Sequence, residues 1–354
     1  MLRRYLILLF SSLFLCGCCN KIEQETVTFA SWGSITEVGV INKLIADFEK
    51  ENPEIDIQFL HIPQNYFQKI HLLFASNTAP DVVFINNLYL PMYLEYLEDL
   101  TEYIKKEEYY SQTIQGLSKD GKVFAIPRDV SNLVFYVNTD LVELKPHWSL
   151  DDLLEIAKTS KSPWGIGIEE DIYWSLPYLA YYGEVFDKKF LASESKGFKF
   201  YKDLRDRYKV APTKSEIGSS TLAQMFIDKK IAIYLSGRWM YPKISEKADF
   251  NWEIALFPQG KGKAPCDVSG WALAKSSKHK QAALKFLEYI SSEESAKYFA
   301  QTGLIVPARI EASKVLNKTE HNEKVFLDAA ESSKNTFVFD NYKKYVDDFN
   351  MKNF

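Results

Sequence analysis

The sequence predicts an α/β protein with two lobes. Apolar strand patterns alternate with amphipathic helix patterns on both sides of Lys122–Asp140, a stretch in which two apolar runs flank the polar pair Arg128 and Asp129. Pro127 cannot donate to a sheet ladder, so we expect one strand to end there and the chain to cross between lobes. The polar residues of this crossing would face the cleft between the lobes. The length of 354 residues also favours two domains over one.

Composition and charge narrow the class of protein. Hydrophobic residues make up 46% of the chain and charged residues 25%, which is typical of a globular protein. The formal net charge is −4, and no run of basic residues is present. Neither nucleic acid nor an anionic membrane surface is therefore an expected partner. The five histidines are scattered, so we expect no metal site and no cofactor.

The N-terminal residues predict a targeting signal. Arg3 and Arg4 precede an apolar run of 11 residues, which is too short to span a bilayer but suits a signal peptide. The run ends in LCGCC (15–19), which resembles a bacterial lipobox. We therefore assign 1–17 as a signal peptide, Cys18 as the lipidated residue (an acyl anchor such as palmitate) and 18–26 as a tether. A plain secretory peptide with incidental cysteines is the alternative.

Strands and helices alternate through the first hundred residues. They are predicted in turn at Val27–Ala30, Val38–Phe48, Ile55–Phe59, Asn65–Ser76 and Val82–Ile85. This order predicts a parallel sheet covered by helices, and such sheets bind ligands at the carboxyl ends of their strands. Trp32 follows the first strand and Asn86 follows the third, so both fall on the expected ligand side.

The same alternation resumes after the crossing. Strands are predicted at Trp164–Ile168, Ile231–Leu235, Trp252–Phe257 and Val268–Ala274. Helices are predicted at Ser149–Lys158, Phe198–Tyr208, Ser219–Lys230, Gln281–Ser291, Glu293–Thr302, Asn322–Ala330 and Asn341–Phe349. An acidic turn at Glu169–Asp171 leads into the aromatic segment Ile172–Gly183.

Four stretches together resemble the extracellular solute-binding proteins of ABC importers, the family that includes maltose-binding protein. They are LLFASNTAPDVVFIN (72–86), KVFAIPRDVSNLVFYVNTDL (122–141), TLAQMFIDKKIAIYLSGRW (221–239) and SGWALAKSSKHKQAALKFLEYISSEESAKYFAQTG (269–303). The resemblance covers roughly residues 26–309 and follows the family's order. It implies a two-lobed periplasmic binding protein type II-like fold, in which hinge strands join two mostly parallel sheets flanked by helices.

The resemblance also implies domains, partners and a location. Lobe 1 would comprise 27–129 and 266–309, and lobe 2 would comprise 130–265 and 310–354, with less chain after Pro307–Arg309 than the family usually has. The protein would be a monomeric, non-enzymatic receptor in the cell envelope, anchored by lipid and facing the periplasm or the exterior. It would capture a sugar or small oligosaccharide and deliver it to the transmembrane subunits of an ABC permease.

Aromatic and polar side chains near predicted strand ends are the candidate ligand contacts. Aromatic faces suit the C–H faces of pyranose rings, and amides, carboxylates and guanidinium groups bind hydroxyls. The candidate residues are Trp32, Asn65, Tyr66, Asp81, Asn86, Arg128, Asn132, Tyr173, Trp174, Arg238, Trp239, Gly270 and Trp271. Core packing is the alternative for each Trp, and a structural ion pair is the alternative for each Arg.

Two other functions remain open at this point. A receptor for an anionic ligand, such as a glycerol phosphate or a sugar acid, could hold it with Arg128 and Arg238. A cell-envelope glycosidase could use Asp81 and Glu169 as a carboxylate pair across a sugar cleft. No HExxH, GxSxG or Walker loop supports another enzyme class, and SxxK at Ser277 and Lys280 lacks its partner motifs.

Overall fold

The computed structural model of the protein describes residues 24–145, 147–318 and 320–354. The predicted signal peptide and the predicted lipidation site, Cys18, lie outside the described residues. Strands are β1 Glu25–Ser31, β2 Ile55–His61, β3 Val82–Asn86, β4 Ser118–Lys119, β5 Lys122–Val123, β6 Ile126–Asn132, β7 Val134–Asn138, β8 Trp164–Gly167, β9 Ile231–Ser236, β10 Trp252–Ala255, β11 Pro265–Leu273, β12 Val306–Pro307 and β13 Lys334–Asn335.

Helices cover both sheets. They are α1 Ile35–Glu51, α2 Tyr66–Ala75, α3 Ser111–Gly116, α4 Leu150–Lys158, α5 Ile172–Tyr182, α6 Lys196–Asp206, α7 Lys214–Ile217, α8 Leu222–Ile227, α9 Tyr241–Lys247, α10 Lys280–Ile290, α11 Glu293–Gln301, α12 Ile310–Ser313, α13 Val325–Ser332 and α14 Tyr342–Asn353. Most of the longer helices match their predicted positions because they show clear apolar faces. The aromatic segment Ile172–Gly183, which carried no helix prediction, forms α5. The shorter α3, α7, α9 and α12 were not predicted, since few turns leave little periodicity to detect.

The larger sheet is mixed. Its order is β12-β6-β11-β3-β1-β2, with β13 paired to β11. The strands β1, β2 and β3 run parallel, as the β-α-β alternation predicts. However, β11 is antiparallel to both β3 and β6, and β12 is antiparallel to β6. The expectation of a mostly parallel sheet therefore applies to the first three strands and to the short pair of β11 with β13, but not to the rest of the sheet.

The smaller sheet has the order β10-β7-β9-β8. Only β8 and β9 are parallel, while β7 lies antiparallel to both β9 and β10. The prediction of a mostly parallel sheet is therefore wrong here. The chain passes from the larger to the smaller sheet through β6 and β7, and each of these strands runs antiparallel to its neighbours. Neither sheet is therefore a simple β-α-β array.

The predicted strand end at Pro127 is also wrong. Strand β6 passes through Pro127 and continues to Asn132, so Arg128 and Asp129 belong to the larger sheet. The partner strand β11 has a register shift between Ser269 and Gly270, opposite this point. A bulge of this kind accommodates a residue that cannot donate a ladder hydrogen bond. The chain leaves the larger sheet after Asn132.

The core is apolar and continuous under the larger sheet. Trp271 and Phe29 are fully buried there, and the ring of Trp271 packs edge-on against Phe29 and Phe84. A separate aromatic cluster joins α5 to the C-terminal helix α14 through Phe186 and Phe349. Among the described residues, no helix combines the length and apolar character that crossing a membrane would need.

Candidate functional site

A cavity of about 570 Å³ lies where elements of the two sheets face each other. We call it the cleft cavity. On the side of the larger sheet it is lined by Trp32, Glu37, Asn86, Arg128, Asp129, Asp267 and Ser269. On the side of the smaller sheet it is lined by Tyr173, at the start of α5, and by Trp239 and Met240, which follow β9. Side chains distant in sequence therefore meet at one site.

The carboxyl ends of β1 and β3 supply one wall. Trp32 begins the loop between β1 and α1, and Ser34 caps α1 by accepting from the backbone N–H of Glu37. Asn86 ends β3, and its side-chain oxygen accepts from the backbone N–H of Tyr89. The rule that ligands bind at the carboxyl ends of parallel strands predicted this wall.

A buried charge network forms the base of the cleft cavity. Arg128 donates to Glu37, and its Nε lies 3.5 Å from Asp129. Ser269 donates to Asp129 over 2.6 Å. Burial raises the pKa of Asp129, and the neighbouring Arg128 and Ser269 offset part of that rise. The guanidinium also lies over aromatic rings, with its carbon 4.9 Å from the Phe299 centroid and 5.2 Å from that of Trp271.

Asp267 also lines the cleft cavity, and sequence reasoning missed it. It lies on β11 two residues before Ser269, so the two side chains share a face of the strand. Burial raises the pKa of the Asp267 carboxyl to about 6. The predicted strand started at Val268, three residues after the observed start at Pro265. Extending its alternation backwards would have placed Asp267 on the same face as Ser269.

Aromatic rings stand on both sides of the opening. Trp32 is 47% exposed and Trp239 is 36% exposed, which is high for tryptophan in a folded protein. Trp174 packs edge-on against Trp239 with ring centroids 6.5 Å apart, and against Tyr173 at 5.7 Å. Trp174 thus supports two residues that line the cavity. This arrangement offers apolar faces above a polar base.

The chain matches a known protein family. A model described as "Bacterial extracellular solute-binding protein" matches residues 43–325. The chain belongs to that family. The predicted resemblance is therefore confirmed, and the extracellular side of the cell envelope is where proteins of this family act.

Curated relatives match this solute-binding protein over most of its chain. The maltodextrin-binding protein MdxE of Bacillus subtilis is 27% identical over 306 residues, which are 77% of this chain and 71% of that protein. The galactooligosaccharide-binding protein of Bacillus subtilis is 24% identical over 330 residues, covering 82% of this chain and 76% of that protein.

Solved structures confirm the two-lobed periplasmic binding protein fold. The ABC substrate-binding protein Lmo0181 of Listeria monocytogenes, in complex with cycloalternan, has a TM-score of 0.82 at 22% identity, covering 93% of this chain and 92% of that chain. The GacH receptor of Streptomyces glaucescens has a TM-score of 0.79 at 23% identity, with the same coverage of both chains.

Several predicted contacts serve the fold of this solute-binding protein instead of lining the cavity. Tyr66 is buried, and its hydroxyl donates to the Ala30 carbonyl and accepts from the Phe84 N–H. Asp81 is buried as well and accepts from Thr28 and Ser277, which clamps a strand to the start of α10. Neither side chain lines the cleft cavity.

Gly270 and Trp271 lie inside the larger sheet. A Cβ at position 270 would lie 2.4 Å from the Ile126 carbonyl oxygen, so the close approach of the two strands accounts for glycine. Trp271 is 0% exposed and packs in the core. The Trp271 ring packs edge-on against Phe84 and does not line the cleft cavity.

Arg238, Asn132 and Asn65 also lie outside the lining of the cleft cavity. Arg238 is 4% exposed and pairs over 3.1 Å with Glu323, away from the cavity lining. Burial lowers its pKa, and Glu323 offsets part of that change. Asn132 is buried and donates to the Ala329 carbonyl. Asn65 is exposed at the start of α2 with a positive φ of 54°.

The acidic turn before α5 is structural too. Asp171 caps α5 by accepting from the N–H of Tyr173, and it also accepts from Asn350 of α14. Burial raises the pKa of Glu169, with the charges of Asp171 and Glu170 adding to the rise. The lining of the cleft cavity includes none of these three acidic side chains. The described residues also hold no group of three or more His, Cys, Asp or Glu placed to bind a metal ion.

Proposed function

We propose that this solute-binding protein captures a sugar or small oligosaccharide in the cleft cavity and delivers it to an ABC permease. The observation that carries the proposal is the pairing of exposed aromatic rings, Trp32 and Trp239, above a hydrogen-bonding base. Relatives named for maltodextrin and galactooligosaccharide binding support the ligand class. Aromatic faces cover the apolar faces of a pyranose ring. The carboxylates of Asp129 and Asp267 accept hydrogen bonds from hydroxyls, and the side-chain amide of Asn86 donates to them.

Closure of two lobes around the ligand is the mechanism that fits this arrangement. Trp32 and Asn86 come from one sheet and Tyr173 and Trp239 from elements of the other, so a bound ligand would touch both. A ligand shifts an open–closed equilibrium only through its greater affinity for the closed state. We place the hinge at Asn132–Leu133, between β6 and β7, which shifts the predicted lobe boundary of 129/130 by a few residues.

The anionic-ligand alternative has little support. Arg238 forms an ion pair with Glu323 outside the cavity, and Arg128 forms ion pairs with Glu37 and Asp129. An incoming phosphate or carboxylate would also meet the carboxyl groups of Asp129 and Asp267. Like charges at short range disfavour binding of such an anion.

The glycosidase alternative also has little support. Asp81 accepts hydrogen bonds from Thr28 and Ser277 directly before β3, and neither Asp81 nor Glu169 lines the cleft cavity. The predicted pair therefore does not face a shared ligand position. We propose a binding function without chemistry, as in the family to which the chain belongs.

We also propose a lipid anchor at Cys18, after removal of 1–17, for a protein that works as a monomer on the membrane surface. The lipobox-like LCGCC (15–19) and the extracellular family support it. Acyl chains contribute about 0.8 kcal/mol per buried CH₂. Labelling of cells with a tagged fatty acid should mark the wild type and the Cys19→Ala variant, but not Cys18→Ala.

A thermal-shift screen tests the proposed ligand class. The panel should hold neutral mono- and oligosaccharides, polyols, glycerol phosphates and amino acids. Ligand at 100 times its dissociation constant stabilises the folded state by about 2.7 kcal/mol. We expect a rise in melting temperature with saccharides and no release of hydrolysis products. A rise only with phosphorylated compounds, or with amino acids, would contradict the proposal.

A further inference from the structure

Asp267 is a carboxylate in the cleft cavity without a cationic partner. Glu37 and Asp129 both lie beside Arg128, which balances part of their charge. Within the described residues, no Lys, Arg or His nitrogen lies within 4.0 Å of the Asp267 carboxyl, and its Oδ1 has no hydrogen-bond donor. The side chain is only partly exposed, so water reaches it incompletely.

The groups packed around Asp267 are neutral near pH 7. Tyr173 of α5, Thr336 next to β13 and Asn87 next to β3 provide polar neighbours that partly offset the effect of burial. Two titratable neighbours, Tyr342 of α14 and Cys266 of β11, have pKa values raised by burial and stay protonated. Because the pKa of Asp267 is about 6, the carboxyl is mostly ionised near pH 7.

The cavity as a whole is therefore negative. Its lining contains the carboxyl groups of Glu37, Asp129 and Asp267 and the guanidinium of Arg128. A partly buried charge without a counter-charge is costly, and the cost is relieved when an opposite charge arrives. A sugar hydroxyl can donate a hydrogen bond to Asp267 but leaves its charge in place. A protonated amine donates a charge-assisted hydrogen bond and also neutralises the charge.

We propose that Asp267 makes the cleft cavity selective for saccharides that carry a protonated amine, namely amino sugars. This inference rests on the proposed function, since it specifies the ligand class of the same cavity. Asp267 is the specificity-determining group because its carboxyl is the one in the lining that Arg128 does not pair with.

The test compares pairs of sugars that differ only in having an amine in place of a hydroxyl at C2 of the ring. The pairs are glucose with glucosamine, galactose with galactosamine, and cellotriose with the fully deacetylated chitosan trisaccharide, which replaces each 2-hydroxyl by a 2-amine. Calorimetric titration of the full chain near pH 7 should give at least about tenfold tighter binding for the amine member of a pair. In Asp267→Asn, a nearly isosteric change, the ratio of the two affinities within each pair should fall to near one.

A matched control removes the same charge elsewhere. Asp249 is exposed and pairs with Lys229 on the surface, so Asp249→Asn should keep the amine preference. Neutral sugars binding as tightly as their amine counterparts, or an amine preference that survives in Asp267→Asn, would overturn this inference and leave the proposed function intact. If no member of any pair and no other saccharide binds, both the inference and the proposed function fail.

Discussion

Arg128 on β6 donates a hydrogen bond to Glu37 on α1, and both side chains are largely buried at the base of the cleft cavity. The two residues are far apart in sequence, so their contact fastens the first helix to the central strands of the larger sheet. Arg128 also approaches Asp129 and lies over the ring of Trp271. The residue that we first interpreted as a ligand contact is therefore also part of the framework that holds the cavity.

Removing Arg128 should destabilise the protein strongly. In Arg128→Met, Glu37 and Asp129 would keep their buried charges without a cation, which typically costs roughly 3–5 kcal/mol. Urea unfolding measures this loss. The matched control is Arg207→Met, because Arg207 is 68% exposed and its ion pair with Asp203 is worth at most about 1 kcal/mol. Equal losses in the two variants would contradict the framework role.

The tryptophans should separate into core and cavity residues. Trp271→Ala should reduce the free energy of unfolding by roughly 3–5 kcal/mol, because its side chain is fully buried. Trp239→Ala should weaken saccharide binding with a much smaller loss of stability, because that ring is partly exposed at the opening. Urea unfolding and calorimetric titration of both variants check this. A loss of stability in Trp239→Ala as large as that in Trp271→Ala would place Trp239 in the core instead.

The stability of the ligand-free protein should depend on Asp267 and pH. The folded-state pKa of about 6 exceeds the ordinary value of 3.8, so the folded state binds the proton more tightly than the unfolded state. The contribution of this group to the free energy of unfolding therefore falls as pH rises from 4 to 6, by up to about 3 kcal/mol. Asp267→Asn should melt higher than the wild type near pH 7 and equally near pH 4.

Asp249→Asn is again the control for this pH dependence. The pKa of Asp249 is lowered by Lys229, so its loss should bring no gain in melting temperature near pH 7. If the melting temperatures of the wild type and Asp267→Asn differ by the same amount near pH 7 and near pH 4, the buried charge does not cause the difference.

Tyr66 should matter for folding and not for the ligand. Its hydroxyl links β1 to β3, since it donates to Ala30 over 3.0 Å and accepts from the Phe84 N–H over 2.9 Å. Tyr66→Phe leaves that buried N–H without an acceptor, which costs about 1–3 kcal/mol in urea unfolding. Tyr103→Phe, at a 47% exposed position, should be nearly neutral. Any change in saccharide affinity for Tyr66→Phe that exceeds the change for Tyr103→Phe would speak against this assignment.

The sequence predicted the helices and strands well wherever periodicity was strong. The apolar face of α1 and the alternation in β2 are examples, because one face of each is buried. The end of a strand at Pro127 was wrong, because the bulge that accommodates the proline forms with β11, more than a hundred residues later. Pairing between distant strands has no local signal in a single sequence.

The candidate site could be predicted only in part for the same reason. Trp32 and Asn86 were predicted from the rule that ligands bind at the carboxyl ends of parallel strands. That rule does not depend on contacts with distant parts of the chain. Asp81 and Arg238 appeared equally suitable, but their partners Ser277 and Glu323 lie far away in sequence. Asp267 was missed because the predicted strand began three residues after the start of β11 and so excluded it.

The most direct test of the central claim is a calorimetric titration with the saccharide that raises the melting temperature most. The full chain and its Trp32→Ala/Trp239→Ala variant are titrated side by side. We expect saturable binding at one site in the wild type, and at least about tenfold weaker binding in the variant, because aromatic contacts with a ring are worth more than 1 kcal/mol together. Equal affinity in both proteins, or no saccharide binding to the wild type, would contradict the claim that this cavity binds the sugar.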